Sequence, residues 1–223
     1  MCGRFTLTVS YDALEDYVNE KFGIQKIGHE FLVPNYNVAP GTQIISVIFD
    51  GVKHRIGSLK WGFTPNFKTD QKLNLINARA ETLFEKPLFK NAALNNRCVI
   101  LADGFYEWVQ DKDKQPMRIT TNGQIFLMAA VWNMSVDEQG AKVFSVAIVT
   151  THSNDQMSKV HERMPVILKK EFVHTWLDNK IKDVEFLKSV LIPYENNLAI
   201  YPVSKKINQV SFNEIDAIKP ITG

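Results

Sequence analysis

The sequence lacks an excess of charge of either sign, because its 26 Lys and Arg residues are nearly balanced by 24 Asp and Glu residues. The resulting net charge of +2 is too small to draw nucleic acid through a global electrostatic field. Any binding of an anionic partner must therefore come from a few cationic side chains gathered in one place.

Cysteine is scarce as well, since Cys2 and Cys98 are the only two. Together with five scattered His residues they give no zinc-ligand spacing, so we expect neither a metal nor another cofactor. The longest apolar run, 125–132, is much shorter than the roughly 20 residues of a membrane span, and no membrane partner is expected. The opening residues show no secretion signal, which predicts a reducing cytoplasm, near the nucleoid in a bacterium, and argues against a Cys2–Cys98 disulfide.

Internal repeats, low-complexity tracts and long linkers are also missing, which predicts one domain spanning 1–223. The apolar share of 45% is ample for a sizeable core. Many short β-rich segments bounded by turn residues outnumber a few helical segments. The pattern predicts an α+β protein with a mainly antiparallel, barrel-like β core and peripheral helices.

Local signals define the first elements of this fold. Ser10 is a good N-cap and Gly23 a natural C-cap for a helix between them. The pair Asp50-Gly51 predicts a hairpin between strands at 43–49 and 52–61.

Later segments are assigned in the same way. Asn122-Gly123 predicts a second hairpin, between strands at 117–121 and 124–132. The segment 33–41 is predicted as loop because it carries two prolines and two asparagines, and 66–74 is polar and irregular. The remaining predicted elements are strands at 4–9, 98–101, 105–109, 143–151 and 198–203, and helices at 87–95, 170–178 and 183–191.

The start of the chain, Met1-Cys2-Gly3, has unusual chemical potential. If Met1 is removed, Cys2 carries a thiol and a free α-amine on adjacent carbons. The thiol can attack as a nucleophile with its own amine as base. Alternatively, amine and thiol together can trap an aldehyde as a five-membered thiazolidine. The competing interpretation is a small buried residue, because free Cys is among the most buried residue types.

Several polar residues interrupt apolar segments in a way that suits a reactive site. Asn77 and Arg79 lie two residues apart, so an extended chain presents them on the same side. Glu107 stands between Tyr106 and Trp108, where desolvation would raise the pKa of its carboxyl and suit it for proton transfer. His161 is a general acid or base at neutral pH by residue type.

Each of these residues also has a structural interpretation. Asn77 could cap a turn, and Arg79 could pair with Glu81. Glu107 could lie on the solvent face of an edge strand, and His161 could be a surface loop residue. Trp61 and Pro40 likewise default to structural interpretations, Trp61 as a core residue and Pro40 as a turn residue.

Six motifs, taken in order, carry a resemblance to a known family. They are Met-Cys-Gly-Arg-Phe at 1–5, Asn-Val-Ala-Pro at 37–40, Lys-Trp-Gly at 60–62, Asn-Ala-Arg-Ala-Glu-Thr at 77–82, Ala-Asp-Gly-Phe-Tyr-Glu-Trp at 102–108 and His-Glu-Arg-Met-Pro-Val at 161–166. In this combination the sequence resembles the SRAP family, the SOS-response-associated peptidases or abasic-site processing proteins. The motifs extend to about residue 168, and the remainder matches only in general character.

The resemblance implies that the N-terminal cysteine captures the aldehyde of a ring-opened abasic site in single-stranded DNA as a thiazolidine. Cys2 would supply thiol and amine. Glu107 would position or deprotonate the amine and assist opening of the deoxyribose ring. His161 would act as acid or base on the sugar hydroxyl and in forming or reversing the crosslink. Asn77 would hydrogen-bond the sugar or the Cys2 backbone.

The resemblance also implies a set of DNA contacts. Arg4, Arg79 and Arg163 would grip phosphates, for which guanidinium is well shaped. Trp61 would stack on a base and Pro40 would wedge where the strand bends. Asn37 and Pro165 are expected among the DNA contacts as members of their motifs.

The resemblance further implies an enzyme with lyase-like trapping activity and removal of Met1 by self-processing or by an aminopeptidase. The expected partner is single-stranded DNA containing abasic sites, bound by a monomer. Two alternatives stay open from the residues alone. One is an N-terminal-nucleophile amidohydrolase, such as a glutamine amidotransferase domain, and the other is a non-covalent single-stranded DNA-binding module.

Overall fold

The computed structural model describes residues 2–65, 74–122 and 125–221. Within these ranges the chain forms four α-helices and twelve strands. The helices are α1 (Tyr11–Phe22), α2 (Pro87–Asn95), α3 (Val173–Leu177) and α4 (Val184–Ser189). The strands are β1 (Arg4–Leu7), β2 (Asn35–Val38), β3 (Gln43–Phe49), β4 (His54–Trp61), β5 (Asn77–Arg79), β6 (Arg97–Ala102), β7 (Gly104–Trp108), β8 (Pro116–Thr120), β9 (Phe126–Val136), β10 (Lys142–His152), β11 (Arg163–Pro165) and β12 (Ala199–Pro202).

Five of the strands close into a barrel in the order β10-β4-β3-β6-β9, because β9 pairs with β10 as well as with β6. The pairing is antiparallel except between β4 and β10, which run parallel. The short strands β5 and β11 add to β10 beyond the barrel. Closure removes exposed strand edges. The predicted α+β architecture with a mainly antiparallel, barrel-like core is confirmed.

A second, fully antiparallel sheet has the order β12-β8-β7-β1-β2. It packs on the barrel largely through one apolar cluster, while Leu7 of β1 belongs to a second one. The first cluster joins Cys2, Phe5 and Phe105 of the second sheet region to Trp61 and Ile148 of the barrel. The second cluster packs the α-helices against the barrel. The first residues of the chain therefore lie between the barrel and the second sheet.

The cap and turn signals early in the sequence form as predicted. The Ser10 side chain accepts a hydrogen bond from the Ala13 amide and begins α1, while Gly23 ends it in the left-handed region with a φ of 69°. The β3–β4 hairpin also forms. The Asp50 carboxylate in its turn accepts hydrogen bonds from the amides of Val52 and Lys53, which fixes the reversal.

Two predictions were wrong. The segment 33–41 is not only loop, because β2 lies within it and pairs with β1 at the edge of the second sheet. An edge strand tolerates prolines nearby, since one side of its backbone needs no partner.

The predicted hairpin at Asn122-Gly123 does not form. Strand β8 pairs with β7 and β12, whereas β9 pairs with β6 and β10, so the chain passes from one sheet to the other between them. Asn122 does take a turn conformation with a φ of 59°. The turn signal was present, but distant partners decided which strands pair. Gly123 and Gln124 lie outside the described residues, as does most of the predicted irregular segment 66–74. Among the helices of the described ranges, none has the length and apolar character to cross a bilayer.

Candidate functional site

Strand β10 brings together two motifs that are far apart in the sequence. Along one edge it pairs with β5, which sets Asn77 beside Ile148 and Arg79 beside Thr150. Along its other edge it pairs with β11, which sets Pro165 beside the same Thr150. The 77–82 and 161–166 motifs therefore meet across one strand.

Cys2 joins this region through Asn77. The Asn77 Nδ2 donates a hydrogen bond to the backbone carbonyl of Cys2 at 3.0 Å. This is one of the two contacts expected for Asn77. Its Oδ1 is buried and accepts no hydrogen bond from the described residues. The Cys2 thiol is fully buried and free, as is that of Cys98.

Glu107 approaches Cys2 from the second sheet. Strand β7 pairs antiparallel with β1 so that Tyr106 lies opposite Arg4. The next residue of β7, Glu107, therefore lies near the first residues of the chain. Burial raises the pKa of the Glu107 carboxyl to about 7, in the direction expected from its aromatic neighbours. Burial also raises the pKa of the Cys2 thiol far above its usual range, and the negative charge of Glu107 adds to that shift. The two groups are thus within electrostatic reach of each other.

A backbone hydrogen bond fixes the tautomer of the neutral His161 ring. Its Nδ1 accepts a hydrogen bond from the Arg163 amide at 2.9 Å, which leaves the proton of the neutral ring on Nε2. Burial lowers the pKa of His161 below its ordinary value. At neutral pH the ring is therefore mainly uncharged, and its Nε2–H is a hydrogen-bond donor.

The three predicted phosphate-binding arginines differ in their surroundings. Arg79 is exposed and available to a ligand. Arg4 is partly buried and donates to the Asn37 Oδ1 and to the Ile207 carbonyl, both at 2.7 Å. Arg163 is buried and forms a two-pronged ion pair with Glu81, at 2.6 and 2.9 Å. In this arrangement Arg163 is not a free phosphate ligand, which corrects that expectation.

Trp61 also departs from its predicted role. Its side chain is 0% exposed, its Nε1 donates to the Ile76 carbonyl at 2.9 Å, and its ring packs on Phe5. A ring enclosed on both faces has no surface for a base, so the stacking expectation is wrong and the core interpretation is right.

The other proposed DNA contacts are mostly enclosed as well. The Asn37 side chain is buried and donates to carbonyls of a segment near the end of the chain, including those of Gln209 and Phe212. Pro165 is buried in β11, and Pro40 is half-buried. Asn37 therefore organises the backbone behind Arg4, while Pro40 retains some accessible surface.

Sequence reasoning missed the polar groups that support this site. Asp103 is buried and accepts hydrogen bonds from the Thr6 hydroxyl at 2.6 Å and from the amide and hydroxyl of Thr8, which anchors β1. Glu81 was considered only as a partner for Arg79, yet it binds Arg163. Its place in the 77–82 motif was the available signal, but the partner became visible only with the pairing of β5 and β11 on β10.

Comparisons with known proteins identify the family of this chain. The family model described as SOS response associated peptidase (SRAP) matches residues 1–210. The chain therefore belongs to the SRAP family.

Relatives and solved structures extend the comparison along the whole chain. The abasic site processing protein YoaM of Bacillus subtilis is 38% identical, over 98% of this chain and 97% of its own. The abasic site processing protein YedK of Escherichia coli is 30% identical, over 99% of this chain and 100% of its own. A crystal structure of a protein from Bacteroides thetaiotaomicron is similar in fold, with a TM-score of 0.87 at 22% identity, over 99% of this chain and 100% of that one.

Proposed function

We propose that this protein processes abasic sites in single-stranded DNA by forming a covalent crosslink through Cys2, once Met1 has been removed. Family membership and the names of the relatives support the substrate class. The observation that carries the mechanism is the position of two polar side chains beside Cys2. Asn77 is hydrogen-bonded to the Cys2 carbonyl, and Glu107 has a raised pKa that suits proton transfer.

The proposed reaction begins at the amine. The α-amine of mature Cys2 attacks the aldehyde carbon of the ring-opened sugar, and the resulting carbinolamine loses water to give an imine. The thiol sulfur then adds to the imine carbon while the thiol proton passes to the nitrogen. The five-membered thiazolidine forms with net release of one water. The high thiol pKa, described for the chain that carries Met1, supports this order because a neutral thiol is a weak nucleophile.

Glu107 carries the proton transfers, and His161 supports them as a hydrogen-bond donor. A carboxyl with a pKa of about 7, described like the thiol pKa for the chain that carries Met1, can accept a proton from the Cys2 ammonium group and return it to the departing hydroxyl of the carbinolamine. His161 assists at the sugar: its Nε2–H donates a hydrogen bond to the ring oxygen as the deoxyribose opens to the aldehyde, while the proton lost by the hemiacetal hydroxyl is taken up by Glu107 and returned to that oxygen. Each positioned acid or base of this kind is worth about 10²- to 10⁴-fold in rate.

Asn77 and Arg79 hold the substrate. The unpartnered Oδ1 of Asn77 accepts a hydrogen bond from the mature Cys2 amine or from the sugar hydroxyl. Arg79 is exposed on the same short strand and binds a phosphate next to the lesion. Arg4 and Pro40 contribute at the edge of the site. Single-stranded DNA is the proposed form because the sugar must turn out of the strand to reach a buried cysteine, which a paired duplex would oppose.

Removal of Met1 is a condition of this chemistry. While Met1 is attached, the Cys2 nitrogen is part of a peptide bond and cannot form an imine. We propose hydrolysis of the Met1–Cys2 bond, by the protein itself or by a methionine aminopeptidase, as the step that activates the site.

The decisive experiment uses the mature protein, with Met1 removal verified by intact mass, and single-stranded DNA that carries one abasic site. A band that survives a denaturing gel and is lost in Cys2→Ala is the expected result. Cys98→Ala is the matched control, because it removes the other buried cysteine and should keep the band. A mature wild type that gives no band would contradict the proposal.

The same samples separate the two alternatives. Glutaminase activity without a crosslink would favour an amidohydrolase, although the closed barrel argues against the layered sheets flanked by helices of that class. A shift seen only in a native gel would favour a non-covalent binding module.

A further inference from the structure

Glu81 lies just after β5, in a single 3₁₀ turn formed by Ala80–Thr82. Its Oε1 accepts a hydrogen bond from the Arg163 Nη1 at 2.6 Å, and its Oε2 accepts one from the Arg163 Nη2 at 2.9 Å. Arg163 belongs to β11, on the opposite edge of β10. The ion pair therefore crosses from one edge of β10 to the other.

Arg163 is also hydrogen-bonded to β10 itself. The Arg163 Nη2 donates to the Thr150 carbonyl at 2.7 Å. Thr150 is the residue that pairs with Arg79 on one side and with Pro165 on the other. Glu81 and Arg163 thus form a brace that fixes β5, β10 and β11 at the point where the two motifs meet.

The brace is buried at its Arg163 end and partly exposed at its Glu81 end. The Arg163 side chain is only 8% exposed and that of Glu81 is 35% exposed. Burial alone would raise the pKa of Glu81, but the hydrogen bonds and positive charge of Arg163, together with a backbone hydrogen bond and the nearby His152, hold it below its usual range. His152 also contacts the Glu81 Oε1 at 3.1 Å, yet its side chain is 74% exposed and adds little.

Both ends of the brace adjoin proposed reaction groups. At one end, β5 carries Asn77, which holds the Cys2 carbonyl, and Arg79, which faces solvent. At the other end, the Arg163 amide donates to the His161 Nδ1 and sets the orientation of that ring. A shift of the brace would move Asn77 and His161 relative to each other.

We infer that Glu81 is a positioning residue for the Cys2 reaction, because its ion pair with Arg163 fixes the distance between Asn77 and His161 across β10. The inference rests on the proposed function. Glu81 touches neither Cys2 nor the proton-transfer groups, so it acts through Arg163. Its loss should slow the chemical step and leave the capture of DNA by Arg79 largely unchanged.

The test measures single-turnover crosslinking by mature protein over a range of concentrations of abasic single-stranded DNA. This separates the maximal rate from the half-saturating DNA concentration. In Glu81→Ala we expect the maximal rate to fall about 10-fold, within the range typical of lost supporting contacts, with half-saturation changed less than about 2-fold. Glu81→Gln keeps the shape and one acceptor, so its rate should lie between those of the wild type and Glu81→Ala.

Two comparisons exclude a general loss of structure. Glu85→Ala removes a nearby, exposed glutamate whose contact with Lys188 is 3.4 Å long, and it should react like the wild type. The double variant Glu81→Ala/Arg163→Ala should be no slower than the slower single variant, because the two residues act as one unit. All assays run below the unfolding midpoint measured for each variant.

The outcomes are distinct. If the wild type crosslinks and both Glu81→Ala and Glu81→Gln react at the wild-type maximal rate, this inference alone is overturned. A change confined to half-saturation would overturn it as well, since Glu81 would then act on binding. A wild type that forms no crosslink would remove the proposed function and this inference with it.

Discussion

The side-chain amide of Asn77 donates a hydrogen bond to the backbone carbonyl of Cys2 at 3.0 Å, across 75 residues of sequence. Because a carbonyl only accepts, this bond fixes the orientation of the amide and turns Oδ1 away from the Cys2 carbonyl. The bond links the second sheet, which begins just after Cys2, to the short strand β5 on the barrel.

Asn77→Ala should therefore slow crosslinking by mature protein by at least about 10-fold, since a hydrogen bond and the orientation of Cys2 are lost together. The measurement is the single-turnover rate on a denaturing gel at saturating DNA. Asn95→Ala, which removes an exposed amide at the end of α2, is the control. Equal rates for both variants would show that Asn77 does not hold the reacting group.

The pH dependence of the crosslinking rate should report Glu107. With a pKa of about 7, the carboxyl is mostly protonated below pH 7 and becomes a base as pH rises through that value. The rate should therefore increase through pH 7 in the wild type. In Glu107→Gln this inflection should vanish, leaving only titration of the Cys2 amine, whose reference pKa is about 7.7–8.0. An unchanged inflection near pH 7 in Glu107→Gln would assign it to another group.

Glu107 should also make stability depend on pH. Its pKa is raised from 4.5 to about 7 on folding, so the folded state holds a proton that the unfolded state has released between these values. Its contribution is fully present below pH 4.5 and is lost as pH rises through 7. Relative to Glu107→Gln, the wild type should lose about 2 to 3 kcal/mol of unfolding free energy between pH 4.5 and pH 8. Urea titrations at both values measure this, and a constant difference would contradict it.

We expect Arg79 to act in DNA binding and Arg163 to act in stability. Arg79→Ala removes an exposed cation and should raise the half-saturating DNA concentration severalfold at low salt, with little change in the unfolding midpoint. Arg163→Ala leaves Glu81 without its buried partner and should cost about 2 kcal/mol of stability. Binding titrations and denaturant unfolding of both variants test the assignment. A loss of stability in Arg79→Ala, with none in Arg163→Ala, would reverse it.

The sequence predicted those parts of the fold that depend on local chemistry. The caps at Ser10 and Gly23 and the Asp50 turn form as expected, because each is satisfied by backbone groups within a few residues. The Asn122-Gly123 signal failed because β8 and β9 each find better partners far along the chain. A turn residue specifies a reversal, but pairing over long distances specifies the sheet.

The candidate site shows the same division. Residue types and motifs were enough to single out Cys2, Asn77, Glu107 and His161, whose catalytic roles stay predictions. They could not reveal that Arg163 is committed to Glu81 or that Trp61 is enclosed, because burial and ion pairing are set by how β5 and β11 meet on β10. The assignment of 1–223 to one domain also stays a prediction.

The most direct test is the mass of the N-terminal peptide isolated from the denatured crosslink after digestion of protein and DNA. We predict a peptide that begins at Cys2 and carries the sugar remnant, with a mass equal to the sum of the two parts less one water. Because the adduct is a closed thiazolidine rather than an open imine, it should survive without treatment with a reducing agent. An adduct on another residue, or on a peptide that still begins at Met1, would contradict the proposed chemistry.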